Sequence, residues 1–143
     1  MTTVSNAEIV VFNKAKPVDL VEKHAKDLAK LITQQNKGGG EATRSQMRRF
    51  YQEYLSLRQK IKSGGEEEYQ KNEVAVKMLI AKANYATGRQ NVKIPKLFVD
   101  WLESNLREIK SAEDVETFGQ YFEAFMGYFY AETKGSQGRE DAR

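Results

Sequence analysis

Apolar residues recur at intervals of three or four along most of the chain, a spacing typical of helices that bury one face. Sustained alternation of apolar and polar residues, which would indicate half-buried strands, does not occur in the sequence. The first periodic stretch follows Pro17 and stops before three glycines at 38–40, where we expect a flexible joint. The pattern therefore predicts an all-α protein.

The next two periodic stretches predict a pair of longer helices. We expect the second helix to start at a capping box formed by Thr43 and Gln46 and to end at the glycine pair 64–65. The third helix follows over about residues 66–86. Because residues 74–85 are apolar on most of the helix circumference, we expect this helix to lie centrally in the fold.

Two further start signals predict the last two helices. Pro95 stands where a fourth helix would begin, and Ser111 with Asp114 forms a second capping signature ahead of a fifth. We therefore expect a compact bundle of about five helices that forms one domain over residues 19–134, preceded by an N-terminal arm over residues 1–18. The polar composition of residues 135–143 predicts a disordered tail.

Composition limits the classes of function. The chain has no cysteine and a single histidine, His24, which excludes disulfides, thiolate metal sites and zinc sites built on paired histidines. The sequence has no phosphate-binding glycine loop, no signal peptide and no apolar run long enough to span a membrane. We expect a cytoplasmic protein that is not an enzyme, does not enter a membrane and uses no metal or cofactor.

Basic charge is concentrated in one part of the chain, although the formal net charge is only +3. Between residues 44 and 62 six basic residues face a single acid, Glu53, and a second basic group surrounds the end of the third predicted helix. Cations repeated along one side of a helix can follow a phosphate backbone without reading bases. The alternative is a solvated helix face without a ligand. The candidate nucleic-acid-binding positions are Arg44, Arg48, Arg49, Gln52, Lys62, Lys77, Lys82, Arg89 and Lys93.

Two segments of the chain, Arg44–Tyr51 (RSQMRRFY) and Lys82–Arg89 (KANYATGR), resemble the small helical subunit of type III-A CRISPR (Csm) effector complexes. The resemblance covers about residues 43–131. It implies a non-catalytic subunit of an antiviral ribonucleoprotein complex, several copies of which stack along a filament beside the other effector subunits. By similarity such copies line the channel that holds guide RNA and target RNA, and they contact the target backbone without regard to sequence.

The resemblance also implies roles for individual residues. Arg48, Arg49, Lys82 and Arg89 are the positions assigned by similarity to phosphate contact. The glycine joint at 38–40 leaves open whether the first helix packs on its own bundle or on a neighbouring copy, and whether isolated protein forms a homodimer.

Two other functions stay open on the sequence. A helical DNA-binding transcription regulator would need a short helix-turn-helix with an exposed recognition helix and would prefer duplex DNA. A protein-interaction bundle would bind a partner helix through an aromatic surface and would show no binding of nucleic acid. For Tyr51 and Tyr85, burial in the core is a commoner role than stacking on bases.

Overall fold

The computed structural model describes residues 9–36, 41–88 and 94–141, with side chains placed for residues 9–35, 43–88 and 94–132. Helices account for most of these residues and no strand occurs among them, which confirms the all-α prediction. The described residues form four long helices where about five were predicted. These are α1 (Ala25–Asn36), α2 (Glu41–Gly88), α3 (Lys96–Arg107) and α4 (Ala112–Asp141), preceded by a 3-10 turn (Phe12–Lys14), a short α-helical turn (Pro17–Asp19) and a π-helical turn (Leu20–His24).

The difference in helix count arises because α2 folds back on itself at Gly65. This residue has φ 69° and ψ −152°, a conformation that is essentially restricted to glycine. Lys82 Nζ lies 2.9 Å from Glu53 Oε2, whereas 29 residues of straight helix would span about 44 Å. The helix is therefore a hairpin of two arms, which we name α2N (residues 41–64) and α2C (residues 66–88).

The core is an aromatic cluster between α3 and α4. Trp101 is completely buried, and its ring centroid lies 5.2 Å from that of Phe118 and 5.1 Å from that of Phe125. Tyr54 brings α2N to this cluster, since its ring packs edge-on against Phe118 at 5.3 Å and its hydroxyl donates a 2.6 Å hydrogen bond to the Val115 carbonyl. Burial of that hydroxyl raises the pKa of Tyr54 well above its usual value.

The helix starts agree with the sequence at two of three positions. Pro95 precedes α3, and the Ser111 Oγ accepts a 3.1 Å hydrogen bond from the Asp114 amide at the start of α4. The predicted start of α2 is wrong, because the helix begins at Glu41 and Thr43 is buried within its first turn.

The segment before α1 packs on the bundle. The Phe12 side chain is buried, and its amide donates a 2.7 Å hydrogen bond to Oδ1 of the buried Asn105. The Tyr121 hydroxyl donates to the Val10 carbonyl at 2.9 Å. At the other end the backbone of α4 continues to Asp141. The division of the chain into arm, domain and tail stays a prediction, and the glycine joint at 38–40 lies outside the described residues.

The expected central position of the third predicted helix is wrong for one of its faces. Val76 and Leu79 of α2C are buried as expected, but Val74 is 74% exposed, Met78 is 48% exposed and Tyr85 is 69% exposed. An apolar sequence around the whole circumference predicts burial on all sides. The described part of the fold covers only one side of α2C.

Candidate nucleic-acid interface

The α2N arm presents a basic surface because its buried apolar residues lie on the other side of the helix. Met47, Phe50, Tyr54 and Ile61 are buried, and at about 100° per residue the opposite side of the helix carries the cations. Arg49 is exposed on this side, and Arg48 is half-buried at its edge. We call this surface the α2N outer face. It carries the cations Arg44, Arg48, Arg49, Lys60 and Lys62 together with uncharged polar residues, among them Gln52, Ser56 and Gln59.

Arg48 lies where the α2N outer face meets α4. Its Nη2 donates a 3.1 Å hydrogen bond to Tyr130 Oη, and its Cζ lies 5.6 Å from the centroid of the Tyr130 ring. A guanidinium carries five N–H donors in a planar fork, and one tyrosine hydroxyl cannot satisfy them all. The contact with Tyr130 therefore fixes the direction of the guanidinium and leaves it capacity for an oxyanion.

Lys62 and Arg58 differ in accessibility although both approach Glu116. Lys62 Nζ is 4.0 Å from Glu116 Oε2 and its side chain is 70% exposed. Arg58 instead donates two hydrogen bonds to Glu116, at 3.1 and 2.9 Å, and a third to Glu123 at 3.0 Å. These bonds lower the pKa of the Glu116 carboxyl. Gly119 leaves room for the Arg58 side chain against α4, because a Cβ atom at position 119 would lie 2.6 Å from Arg58 Cδ.

Lys82 of α2C meets α2N at Glu53, on the opposite edge of α2N from Arg48. Its ammonium pairs with Glu53 at 2.9 Å, and both side chains are partly exposed. Positions 48 and 53 are separated by about 140° around the helix. The structure therefore places Arg48 and Lys82 at different edges of α2N, and the one acid between residues 44 and 62 is engaged with Lys82.

Lys77 is used within the fold. Its ammonium donates hydrogen bonds to the carbonyls of Leu106 (2.6 Å), Arg107 (3.3 Å) and Ile109 (2.7 Å) at the end of α3. Cations are favoured at a helix C-terminus, where carbonyl groups lack partners. Burial lowers the pKa of Lys77. These partners lie 29 to 32 residues away, so the sequence around Lys77 does not predict them. Because its ammonium is already bonded within the fold, we leave Lys77 out of the interface described below.

The remaining candidates are distributed as follows. Arg89 and Lys93 lie outside the described residues. Gln52 is exposed on the α2N outer face. Tyr51 packs edge-on against Phe122 at a centroid distance of 5.2 Å, which makes it part of the core boundary. Sequence reasoning missed Tyr130 as the partner of Arg48, and nothing within α2N could have indicated it.

The described residues contain no cluster of three histidine, cysteine or acidic side chains arranged to hold a metal ion. His24 is half-buried in the π-helical turn before α1. Among the helices of the described ranges, none combines the length and the apolar character that a membrane span requires.

Comparisons with known proteins give one finding about family. The model of a family described as Csm2 Type III-A matches residues 15–134 of the chain, from just after the 3-10 turn to far along α4. No curated protein matches the chain, and no solved structure does.

Proposed function

Because the chain belongs to the Csm2 Type III-A family and is a small subunit of a type III-A CRISPR effector complex, we propose that it supplies that complex with a non-catalytic surface for RNA. In this proposal the α2N outer face contacts the backbone of the target RNA strand, without reading bases. Copies of the subunit stack beside the other effector subunits in the cytoplasm and hold the target during antiviral defence.

The composition of the α2N outer face is the observation that carries the proposal. Five cations lie on this face among uncharged polar residues, and the one acid of the segment, Glu53, is hydrogen-bonded to Lys82. Arg44 and Arg48 are about 6 Å apart along the helix axis, a rise comparable with the phosphate spacing of an extended strand. Contacts to phosphate position a protein on nucleic acid but carry no sequence information, which suits a subunit that must accept any target.

The held side chain of Arg48 adds to this argument. A long side chain that must be ordered on binding costs about 0.5–1.5 kcal/mol. The contact of Arg48 with Tyr130 orders the guanidinium before a ligand arrives, and this reduces the cost. Arginine also matches phosphate oxygens with two parallel hydrogen bonds, which lysine cannot do.

The proposal is tested with the double variant Arg48→Ala/Arg49→Ala. Its binding to two single-stranded RNAs of unrelated sequence would be measured by fluorescence anisotropy over a range of salt concentrations. Loss of two phosphate contacts should weaken binding equally for both RNAs and reduce the slope of log affinity against log salt by about 1.4. The matched control is Arg107→Ala/Lys110→Ala, which removes the same charge from the exposed end of α3.

Two results would contradict the proposal. An equal loss in the control variant would mean that net charge alone drives binding, and a loss confined to one RNA would mean that bases are read. Tighter binding to duplex DNA than to RNA would favour a transcription regulator. Absence of salt-dependent binding to any nucleic acid would favour a protein-interaction bundle.

A further inference from the structure

The α2C arm carries a line of exposed apolar side chains. Val74, Met78, Ala81 and Tyr85 are spaced by four, three and four residues, so they lie along one side of the helix, opposite the buried Val76. Val74 is 74% exposed and Tyr85 is 69% exposed. We call this line the α2C ridge. A contiguous exposed apolar patch on a small protein indicates a contact with another macromolecule.

A second apolar surface lies on a different part of the molecule. An open groove of about 520 Å³ lies between the π-helical turn before α1 and the middle of α4. A second cavity of about 430 Å³ adjoins it, and Val21 and Ala124 line both. Val18, at the rim, is 57% exposed. We call this surface the α4 groove. Its apolar lining is Pro17, Val18, Val21, Ala124, Tyr128 and Ala131.

From these two surfaces we infer that the α2C ridge of one copy docks in the α4 groove of a second copy. This inference rests on the proposed role in a stack of subunits, and it names the surfaces that would join neighbours. The ridge spans residues 74–85 and the groove follows α4 over residues 120–131, so both are about 16 Å long. Their charges are complementary as well, since the exposed Lys71 flanks the ridge and the exposed Glu22 lines the groove.

The geometry of such a contact determines the form of the assembly. The ridge and the groove are different surfaces, so the contact is heterologous, and every added copy presents one free ridge and one free groove. A contact of this kind extends a row of subunits instead of closing a dimer, unless the rotation between copies forms a ring. Neither surface shares a residue with the α2N outer face, which therefore stays available for RNA in every copy.

The absence of cysteine from the chain allows a direct test by site-specific cross-linking. Met78→Cys places a thiol on the ridge, and Gly127→Cys places one in the groove, where an added Cβ meets no atom within 4 Å. The full-length double variant would be treated with a short bismaleimide and separated on a denaturing gel. We expect a ladder of dimers, trimers and longer species from the double variant and monomers from each single variant.

Mixing the two single variants gives the decisive measurement. Each copy then carries one thiol, so a link between ridge and groove must join two copies, and the expected product is a dimer without a trimer that neither single variant forms alone. Efficient cross-linking within either single variant would indicate a symmetric contact and would overturn the inference. A double variant that remains monomeric at the highest attainable concentration would overturn it as well.

A charge reversal provides an independent check that does not depend on introduced cysteines. Lys71→Glu and Glu22→Lys should each reduce the sedimentation coefficient of concentrated protein, because each pairs like charges at the contact, and an equimolar mixture of the two should recover it, because alternating copies pair opposite charges. Combining both changes in one chain should restore association, whereas no restoration would count against the proposed pairing. RNA binding is measured separately: a ladder without RNA binding would refute only the proposed function, and salt-dependent RNA binding without a ladder would refute only the docking.

Discussion

The two arms of the α2 hairpin each bury an apolar face, and yet they present opposite chemistry to solvent. The α2N arm exposes cations, and the α2C arm exposes the apolar side chains of the ridge. Burial of one face is sufficient to hold a helix in a bundle, so packing leaves the other face free to vary. The comparison teaches that the functional information of this fold lies in the exposed side of each arm.

The arms are also anchored to different partners. Tyr54 and Arg58 attach α2N to α4 through hydrogen bonds to Val115 and Glu116. The α2C arm is attached to α3 by Lys77 and to the segment after it by the Tyr69 hydroxyl, which donates to a backbone carbonyl at 3.2 Å. The bend at Gly65 allows both sets of contacts to form in one chain.

Gly65→Ala should have the largest effect on stability, because it strains the bend that separates the two arms. An alanine at φ 69° and ψ −152° is strained by about 3 kcal/mol, and we expect this loss in the free energy of unfolding measured with urea. The control Gly127→Ala lies in a regular helix with open space around it and should stabilise by up to about 1 kcal/mol. Equal effects of the two substitutions would mean that the bend is not required.

Arg58→Met should loosen α2N from α4 without touching the α2N outer face. The side chain of Arg58 is only 11% exposed, but Glu116 is partly solvated, so we expect a loss of about 1–2 kcal/mol at neutral pH. The matched control is Arg107→Met, which removes an exposed pair with Glu103 and should cost less than about 0.5 kcal/mol.

The effect of Arg58→Met should depend on pH. Hydrogen bonds from Arg58 lower the pKa of Glu116 from its ordinary value of 4.5, so their contribution is complete above that value and disappears as the pH falls through the lower folded-state pKa. Urea unfolding at about pH 7 and about pH 3 should therefore show the gap between wild type and variant shrinking in acid. A gap that is constant or grows would show that packing over Gly119, and not charge, dominates.

Glu53→Gln should have the smallest effect, and it tests whether the charge of α2N alone determines RNA binding. It removes the one acid between residues 44 and 62 and releases Lys82, whose exposed ion pair is worth about 0.2–1 kcal/mol. We expect almost unchanged stability and modestly tighter RNA binding, measured by anisotropy at low salt. Weaker RNA binding would indicate that the pairing of the two arms matters more than the charge of α2N.

The sequence was sufficient to predict the fold class, the helix starts at Pro95 and Ser111, and the interruption of the helix at the glycine pair 64–65. These features depend on short segments, where capping and glycine conformations act locally. It was not sufficient to predict which side of α2C is covered. An apolar helix is compatible with complete burial, and the number of neighbouring helices around it is a property of the whole fold.

The candidate site was predictable only where the direction of a side chain follows from the periodicity of its helix. The outward direction of Arg49 and Gln52 follows from the periodicity of α2N alone. The pairing of Lys82 with Glu53 and the use of Lys77 at the end of α3 depend on contacts across 29 or more residues, which exist only after the hairpin forms. Such partners cannot be identified from charge patterns along the chain.

The most direct test of the division between the arms is a comparison of salt-dependent RNA binding by two double variants. Arg48→Ala/Arg49→Ala alters the α2N outer face, and Val74→Ser/Met78→Ser alters the α2C ridge. On a short RNA that holds one protein copy, the first variant should lower both affinity and salt slope, while the second should match wild type. Equal losses in the two variants, or a loss in the ridge variant alone, would contradict the assignment of RNA contact to α2N.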